Sequence, residues 1–187
     1  MGYREFVKDY KIDYVDRPGS KRQKAVRVYV GPWYEFTASP EKIRFLRWLY
    51  LSGMVALAVL LLIPMCIDCV LTRIWYIQVP ASAAGIPMVF AVCATWRLWT
   101  AGQKMNREHN SLLGSRMKGA CLFLMILPGI SCAGSIHGLL TKTVSARDYL
   151  VCACYILALA TAVILFSQRK GLDTQMTDPG ENKKSKK

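Results

Sequence analysis

The chain has 187 residues, of which 53% are hydrophobic, and it carries a formal net charge of +13. Apolar and basic residues are segregated along it, a pattern that is unusual for a soluble protein and typical of one that crosses a membrane. The basic residues are spread over several segments instead of forming one patch, which argues against a nucleic-acid interface.

The first segment, residues 1–38, is basic and carries a strand pattern. Apolar residues alternate from Tyr10 to Tyr14 and again from Val26 to Val30, and Pro18-Gly19 between them is a turn signal. We therefore predict a β-hairpin. A segment of this size cannot bury a core of its own, so the hairpin has to pack on the bilayer surface, on the 100–118 connection or on a partner.

An aromatic junction follows the hairpin. Trp33, Tyr34 and Phe36 precede Ser39-Pro40, where a capping hydroxyl and a proline predict a helix start. We interpret the three aromatic residues as anchors at the membrane interface in preference to a ligand platform. The stretch VYVGPWYEF resembles small uncharacterised four-span bacterial membrane proteins, a resemblance that implies a membrane protein and brings no activity with it.

Four apolar runs between residues 39 and 166 are long enough to cross a bilayer. The predicted spans are residues 48–67, 76–96, 119–140 and 149–166. Aromatic residues near their ends are predicted interfacial anchors, namely Trp48, Trp75, Tyr76, Trp96 and Trp99. Prolines predict an irregular second span and a kink at Pro128 in the third. His137 in the third span could relay protons or contact a quinone, but we predict a neutral ring bonded to a backbone carbonyl.

The basic residues also predict orientation. Of the 25 lysines and arginines, 22 lie in the N-terminal part up to Arg47, the 97–118 connection and the tail after Phe166, and three lie in the two other connections. By the positive-inside rule both termini are cytoplasmic. We predict an all-α integral membrane protein with four transmembrane helices, a cytoplasmic hairpin and a basic, disordered cytoplasmic tail at 167–187. We expect it in a bacterial cytoplasmic membrane, with an endoplasmic-reticulum-type membrane as the alternative, and we expect anionic lipid near its cytoplasmic face.

Small residues recur at one-turn spacing on the third span. They are Gly129, Ser131, Gly134, Ser135 and Gly138, and Ala158 and Ala162 repeat the spacing on the fourth span. Such a face allows another helix backbone to approach closely. The spacing predicts helix packing, and whether the partner helix belongs to the same chain or to a second copy is left open.

The only spacing that suggests catalysis is Cys66-Ile-Asp-Cys69. Together with Cys152 and Cys154 it resembles the layout of disulfide-forming membrane thiol–quinone oxidoreductases, although these also need a cysteine pair on a mobile exterior loop. Cys66 and Cys69 are predicted to lie at a helix C-terminus with Asp68 between them, and both features disfavour a thiolate. We therefore interpret them as small apolar residues, with a redox pair as the alternative.

No cofactor fingerprint or metal-ligand cluster occurs in the sequence, so we expect neither a cofactor nor a metal. The leading functional hypothesis is a non-enzymatic membrane protein that assembles with itself or serves as an accessory subunit of a membrane complex. The alternatives are a thiol–quinone oxidoreductase that uses Cys66 and Cys69, and an accessory subunit of a transporter.

Overall fold

Four long apolar helical stretches make up most of the structure, a computed structural model that describes residues 9–16, 23–102, 104–143 and 145–177. Each stretch is long and apolar enough to cross a membrane, and they are Pro40–Cys66, Trp75–Thr100, Arg107–Thr141 and Ala146–Leu172. The α-helices within them are α1 (Pro40–Cys66), α2 (Trp75–Ala83), α3 (Gly85–Thr100), α4 (Arg107–Ser111), α5 (Met117–Thr141) and α6 (Ala146–Ser167).

Side-chain caps are present at the starts of two helices, and the first of these starts was predicted. The Ser39 hydroxyl accepts a hydrogen bond from the Lys42 amide at 3.4 Å, and Pro40 is the first residue of α1. At the start of α6, Ser145 and Asp148 form a capping box. Local side-chain chemistry that is readable in the sequence therefore sets these two boundaries.

The second and third stretches are less regular than the first. The second is interrupted at Ala84, between two prolines, because Pro87 has no N–H to continue the ladder. The third begins at Arg107, well before the predicted start at 119, and includes a π-helical turn at Leu112–Arg116. His109, which belongs to the predicted 97–118 connection, is therefore on a helix.

The core lies where one face of each helix meets its neighbours. On α1 the buried residues recur every three or four positions, and they are Ile43, Leu46, Tyr50, Met54, Leu57, Leu61 and Pro64. The Tyr50 hydroxyl donates a 2.8 Å hydrogen bond to the Leu165 carbonyl, which joins α1 to α6. Large apolar side chains cover the outside of the bundle, as expected of helices that face lipid.

Two small sheets lie at one end of the bundle. The strands are β1 (Tyr10–Asp16), β2 (Gln23–Tyr29), β3 (Trp33–Phe36), β4 (Lys104–Met105) and β5 (Thr174–Thr177). Strands β1 and β2 form the predicted hairpin, with Tyr10 opposite Tyr29. Strand β3 lies between β4 and β5 and pairs antiparallel with both. We call this end the sheet end, and the opposite end, with the 67–74 and 142–145 connections, the loop end.

The C-terminal tail differs from its prediction. Residues Gln168–Leu172 form a 3₁₀ turn and Thr174–Thr177 form β5, so the first part of the tail is not disordered. The Asp173 carbonyl accepts a hydrogen bond from the Thr37 amide at 3.1 Å, next to the strand pairing. The rest of the predicted disordered tail, residues 178–187, lies outside the described residues.

Candidate functional site

The hairpin is joined to the bundle through Tyr29. Its hydroxyl donates to the Pro32 carbonyl at 2.8 Å and accepts from the Arg107 amide at 2.9 Å. Its ring makes edge contacts with Tyr10 and Trp33, at centroid distances of 5.2 and 5.1 Å. Burial raises the pKa of Tyr29, so the phenol stays neutral and can donate and accept at once. Tyr29 therefore couples β2 to both β3 and the start of α4.

Further polar contacts surround this junction. Arg107 lies 3.9 Å from the Asp9 carboxylate, and the Asn106 side chain donates to the Tyr10 hydroxyl at 3.2 Å. His109 contacts the Asn106 side-chain oxygen and lies 3.4 Å from Arg97. Of the three supports considered for the hairpin, the connection before α5 is the one that its base contacts.

The rest of the hairpin is open on both faces. The register places Ile12 on the same face as Tyr10 and Tyr29, and Val28 on the opposite face. Ile12 and Tyr14 are 62% and 64% exposed, and Val28 is 41% exposed. In the part of the hairpin that the structure describes, apolar side chains are therefore accessible on both faces.

The predicted interfacial aromatic residues fall into two groups. Trp33, Tyr34 and Phe36 are half-buried in β3, the central strand of the three-stranded sheet. The others lie on the helices: Trp48 packs edge-on against Trp99 at 5.1 Å, Trp75 against Tyr76 at 6.0 Å, and Trp96 is exposed. The first group is therefore part of the three-stranded sheet. For both groups, an anchoring role at the membrane interface stays a prediction.

The small-residue face of α5 packs within the chain. A Cβ atom added at Gly134 would lie 3.0 Å from Ile77, and one added at Gly138 would lie 2.5 Å from Leu71. The buried Ser131 hydroxyl donates to the Ile77 carbonyl at 2.8 Å. The element that packs on this face of α5 therefore belongs to the same chain, and it consists of α2 and the turn before it.

The remaining small residues also lie between helices of this chain. Ser135 is buried, and its hydroxyl contacts the Cys132 carbonyl and the Cys152 sulfur. Ala158 and Ala162 are buried on α6, and a Cβ atom at Gly129 would meet Leu159 at 3.6 Å. By contrast, His137 is exposed on the outside of α5, not placed between helices.

The Cys66–Cys69 segment lies where α1 ends. Cys66 is the last residue of α1 and is exposed, and Cys69 is half-buried with its amide bonded to the Thr72 hydroxyl at 3.1 Å. All seven cysteines are free thiols. Asp68 forms a two-point ion pair with Arg73, at 2.8 and 3.0 Å, which lowers the pKa of the Asp68 carboxyl. The carboxylate between the cysteines is therefore paired with an arginine, a contact that the sequence analysis missed.

Asp148 is a second polar centre at the loop end. It is fully buried, and its Oδ1 accepts from the Leu71 amide at 3.0 Å. Its Oδ2 accepts from the amide and hydroxyl of Ser145, at 2.8 and 2.9 Å. Asp148 thus caps α6 and fixes the 67–74 connection to it. The capping role was readable from the sequence, whereas the long-range bond to Leu71 was not.

Two neighbouring cavities open beside α1 near the sheet end. One, of about 620 Å³, is apolar and lies between α1 and α3, and the other, of about 370 Å³, is lined partly by Arg44 and Arg47. Across the part of the chain that the structure describes, no three His, Cys, Asp or Glu residues are grouped so as to hold a metal ion. Comparison with known proteins finds no matching family model, no matching curated protein and no matching solved structure.

Proposed function

We propose that this chain is a non-enzymatic multi-pass membrane protein that recruits a partner protein to the cytoplasmic side of the membrane through its hairpin. The observation that carries the proposal is the hairpin itself, which is held to the bundle at Tyr29 and exposes Ile12 and Val28 on opposite faces. Such a two-stranded ribbon gains stability when a further strand or a packed surface covers it. An extended segment of another protein that pairs with β1 or β2 would add a strand to the ribbon and would also cover its exposed apolar side chains.

Charge favours a different protein over a second copy of this chain. Residues 10–29 contain six basic and two acidic residues. Two such hairpins side by side would repel each other, whereas an acidic extended segment would be attracted. The proposed partner is therefore a protein with an acidic strand-forming segment next to the membrane.

The cytoplasmic location of the hairpin rests on the charge asymmetry between the two ends. Among the residues that the structure describes, 13 lysines and arginines lie in the segments at the sheet end, and the loop end carries Arg73, Lys142 and Arg147. Reporter fusions test it directly. Fusions after Arg73 and Lys142 should behave as exterior, and fusions after the sheet-end residues Lys104 and Lys170 as cytoplasmic. A cytoplasmic signal from either loop-end position would overturn the topology.

Site-directed photo-crosslinking tests the docking role. A photo-reactive amino acid at position 12 should give one discrete protein adduct in native membranes, and the same probe at Val59, an exposed residue in the middle of α1, should give only lipid adducts. Ile12→Ser should lose the partner during purification, whereas Lys11→Ser, an exposed polar position on the same strand, should retain it. Adducts of twice the chain's mass would point to self-assembly, and lipid adducts at position 12 would place the hairpin on the bilayer. Either result contradicts the proposal.

A further inference from the structure

An apolar groove runs between α1 and α3 in the half of the bundle nearer the sheet end. It has a volume of about 620 Å³, and its lining residues are Leu51, Met54, Val55, Ala58, Met88, Val92, Thr95, Trp96, Trp99 and Thr100. The two threonine hydroxyls do not add polarity, because each donates to a carbonyl of its own helix: Thr95 to Ala91 at 2.9 Å and Thr100 to Trp96 at 3.2 Å. The groove therefore offers apolar contact along its length.

The sheet end of this groove is basic. Past the Trp48–Trp99 pair, the second cavity, of about 370 Å³, is lined by residues that include Arg44, Arg47 and Gly102. A 2.6 Å hydrogen bond from the Arg47 guanidinium to the Ala101 carbonyl holds that side chain at the end of α3. Among the described residues neither arginine is paired with a carboxylate, and Glu35 in the same cavity is already paired with Lys104 at 3.3 Å.

We propose that the groove and the arginines together bind one anionic phospholipid, with an acyl chain between α1 and α3 and the phosphate next to Arg44 and Arg47. The occupant has to join a long apolar part to an anionic group, because Arg47 in the second cavity lies one helical turn before Leu51 in the apolar groove and neither arginine has an acidic partner. A free phosphate would leave the groove empty, and a zwitterionic lipid would bring a cation toward the arginines. The inference rests on the proposed membrane insertion and is independent of the hairpin's role.

The test is native mass spectrometry of the detergent-solubilised full chain, titrated with dioleoyl-phosphatidylglycerol or dioleoyl-phosphatidylcholine. We expect one phosphatidylglycerol to bind at least fivefold more tightly than phosphatidylcholine, since a basic residue near a lipid surface contributes about 1 kcal/mol. Inorganic phosphate at the same concentration should not compete. Arg44→Gln should reduce the preference for phosphatidylglycerol several-fold, and Ala58→Leu, which fills the groove, should weaken the binding of both lipids.

Matched variants outside the two cavities control for general effects. Arg116→Gln removes an exposed charge, and Ala153→Leu adds the same bulk to an exposed position on α6. Both should bind phosphatidylglycerol like the wild type. Equal binding of the two lipids by the wild type, competition by inorganic phosphate, or equal losses in the control variants would each overturn the lipid site. Failure of the reporter fusions would instead overturn the membrane topology, so the two failures are distinguishable.

Discussion

Replacing Asp148 by alanine should destabilise the bundle more than any change at its exposed charges. The substitution removes the acceptor for Ser145 at the start of α6, and lost caps cost about 1 kcal/mol. It also leaves the buried Leu71 amide without its partner, at a cost of roughly 1–3 kcal/mol. We therefore expect a loss of about 2–4 kcal/mol in the free energy of unfolding. Asp148→Asn retains an oxygen for Leu71 and presents an amide to Ser145, so it should lose only about 1 kcal/mol.

The assay is reversible unfolding of the purified protein in mixed micelles with increasing SDS, followed by tryptophan fluorescence. Asp173→Ala is the control, because Asp173 is an exposed carboxylate whose pair with Lys118, at 3.3 Å, should be worth no more than about 1 kcal/mol. The essential result is the order of the losses in the free energy of unfolding, which should be largest for Asp148→Ala, smaller for Asp148→Asn and smallest for Asp173→Ala. If Asp148→Ala and Asp148→Asn lowered the free energy of unfolding equally, the hydrogen bond from the Leu71 amide would contribute nothing to stability. A larger loss for Asp173→Ala than for Asp148→Ala would refute the argument that a buried carboxylate contributes more than an exposed one.

Three further outcomes follow from the contacts described above. Tyr29→Phe should speed hydrogen exchange of the β2 amides and of the Arg107 amide, since two hydrogen bonds of about 1 kcal/mol each are lost, and it should leave the exchange of α1, α5 and α6 unchanged. Gly138→Leu should cost about 1–3 kcal/mol in the same SDS titration because its side chain meets a buried leucine, whereas Gly119→Leu, with open space around it, should be nearly neutral. Acid-quenched alkylation of membranes should find Cys66 and Cys69 reduced, with no change on quinone depletion. A quinone-sensitive disulfide between them would make the oxidoreductase the leading hypothesis.

Features set by neighbouring residues could be predicted from the sequence. Alternation and a Pro-Gly turn predicted the hairpin, and Ser39-Pro40 predicted the start of α1. The start of the third helical stretch at Arg107 was missed because the residues of α4 are polar and show no apolar stripe. Strand β5 was missed because its four residues acquire their partner from β3, far away in sequence.

In the candidate sites, too, the sequence predicted local features and did not predict contacts between elements that are distant in the chain. The spacing of the glycines on α5 predicted close approach, but only the fold identifies α2 as the element that approaches. The apolar groove could not be predicted, because it lies between α1 and α3 and the periodicity of a sequence does not show which exposed helix faces leave space between them. In each case the missing information is the relative placement of two elements, which depends on tertiary packing and not on local propensity.

Strand β3 has a consequence for how the chain is inserted into a membrane. It is synthesised before the first helix, whereas β4 emerges after the second crossing and β5 after the fourth. Under the proposed topology each can reach β3 only if an even number of crossings has returned the chain to the same side. A copy that skips one span would leave a strand on the far side and expose the open backbone edge of β3. Under that topology, closure of this sheet would distinguish correctly inserted copies from faulty ones, because only the faulty copies would expose an unpaired strand edge.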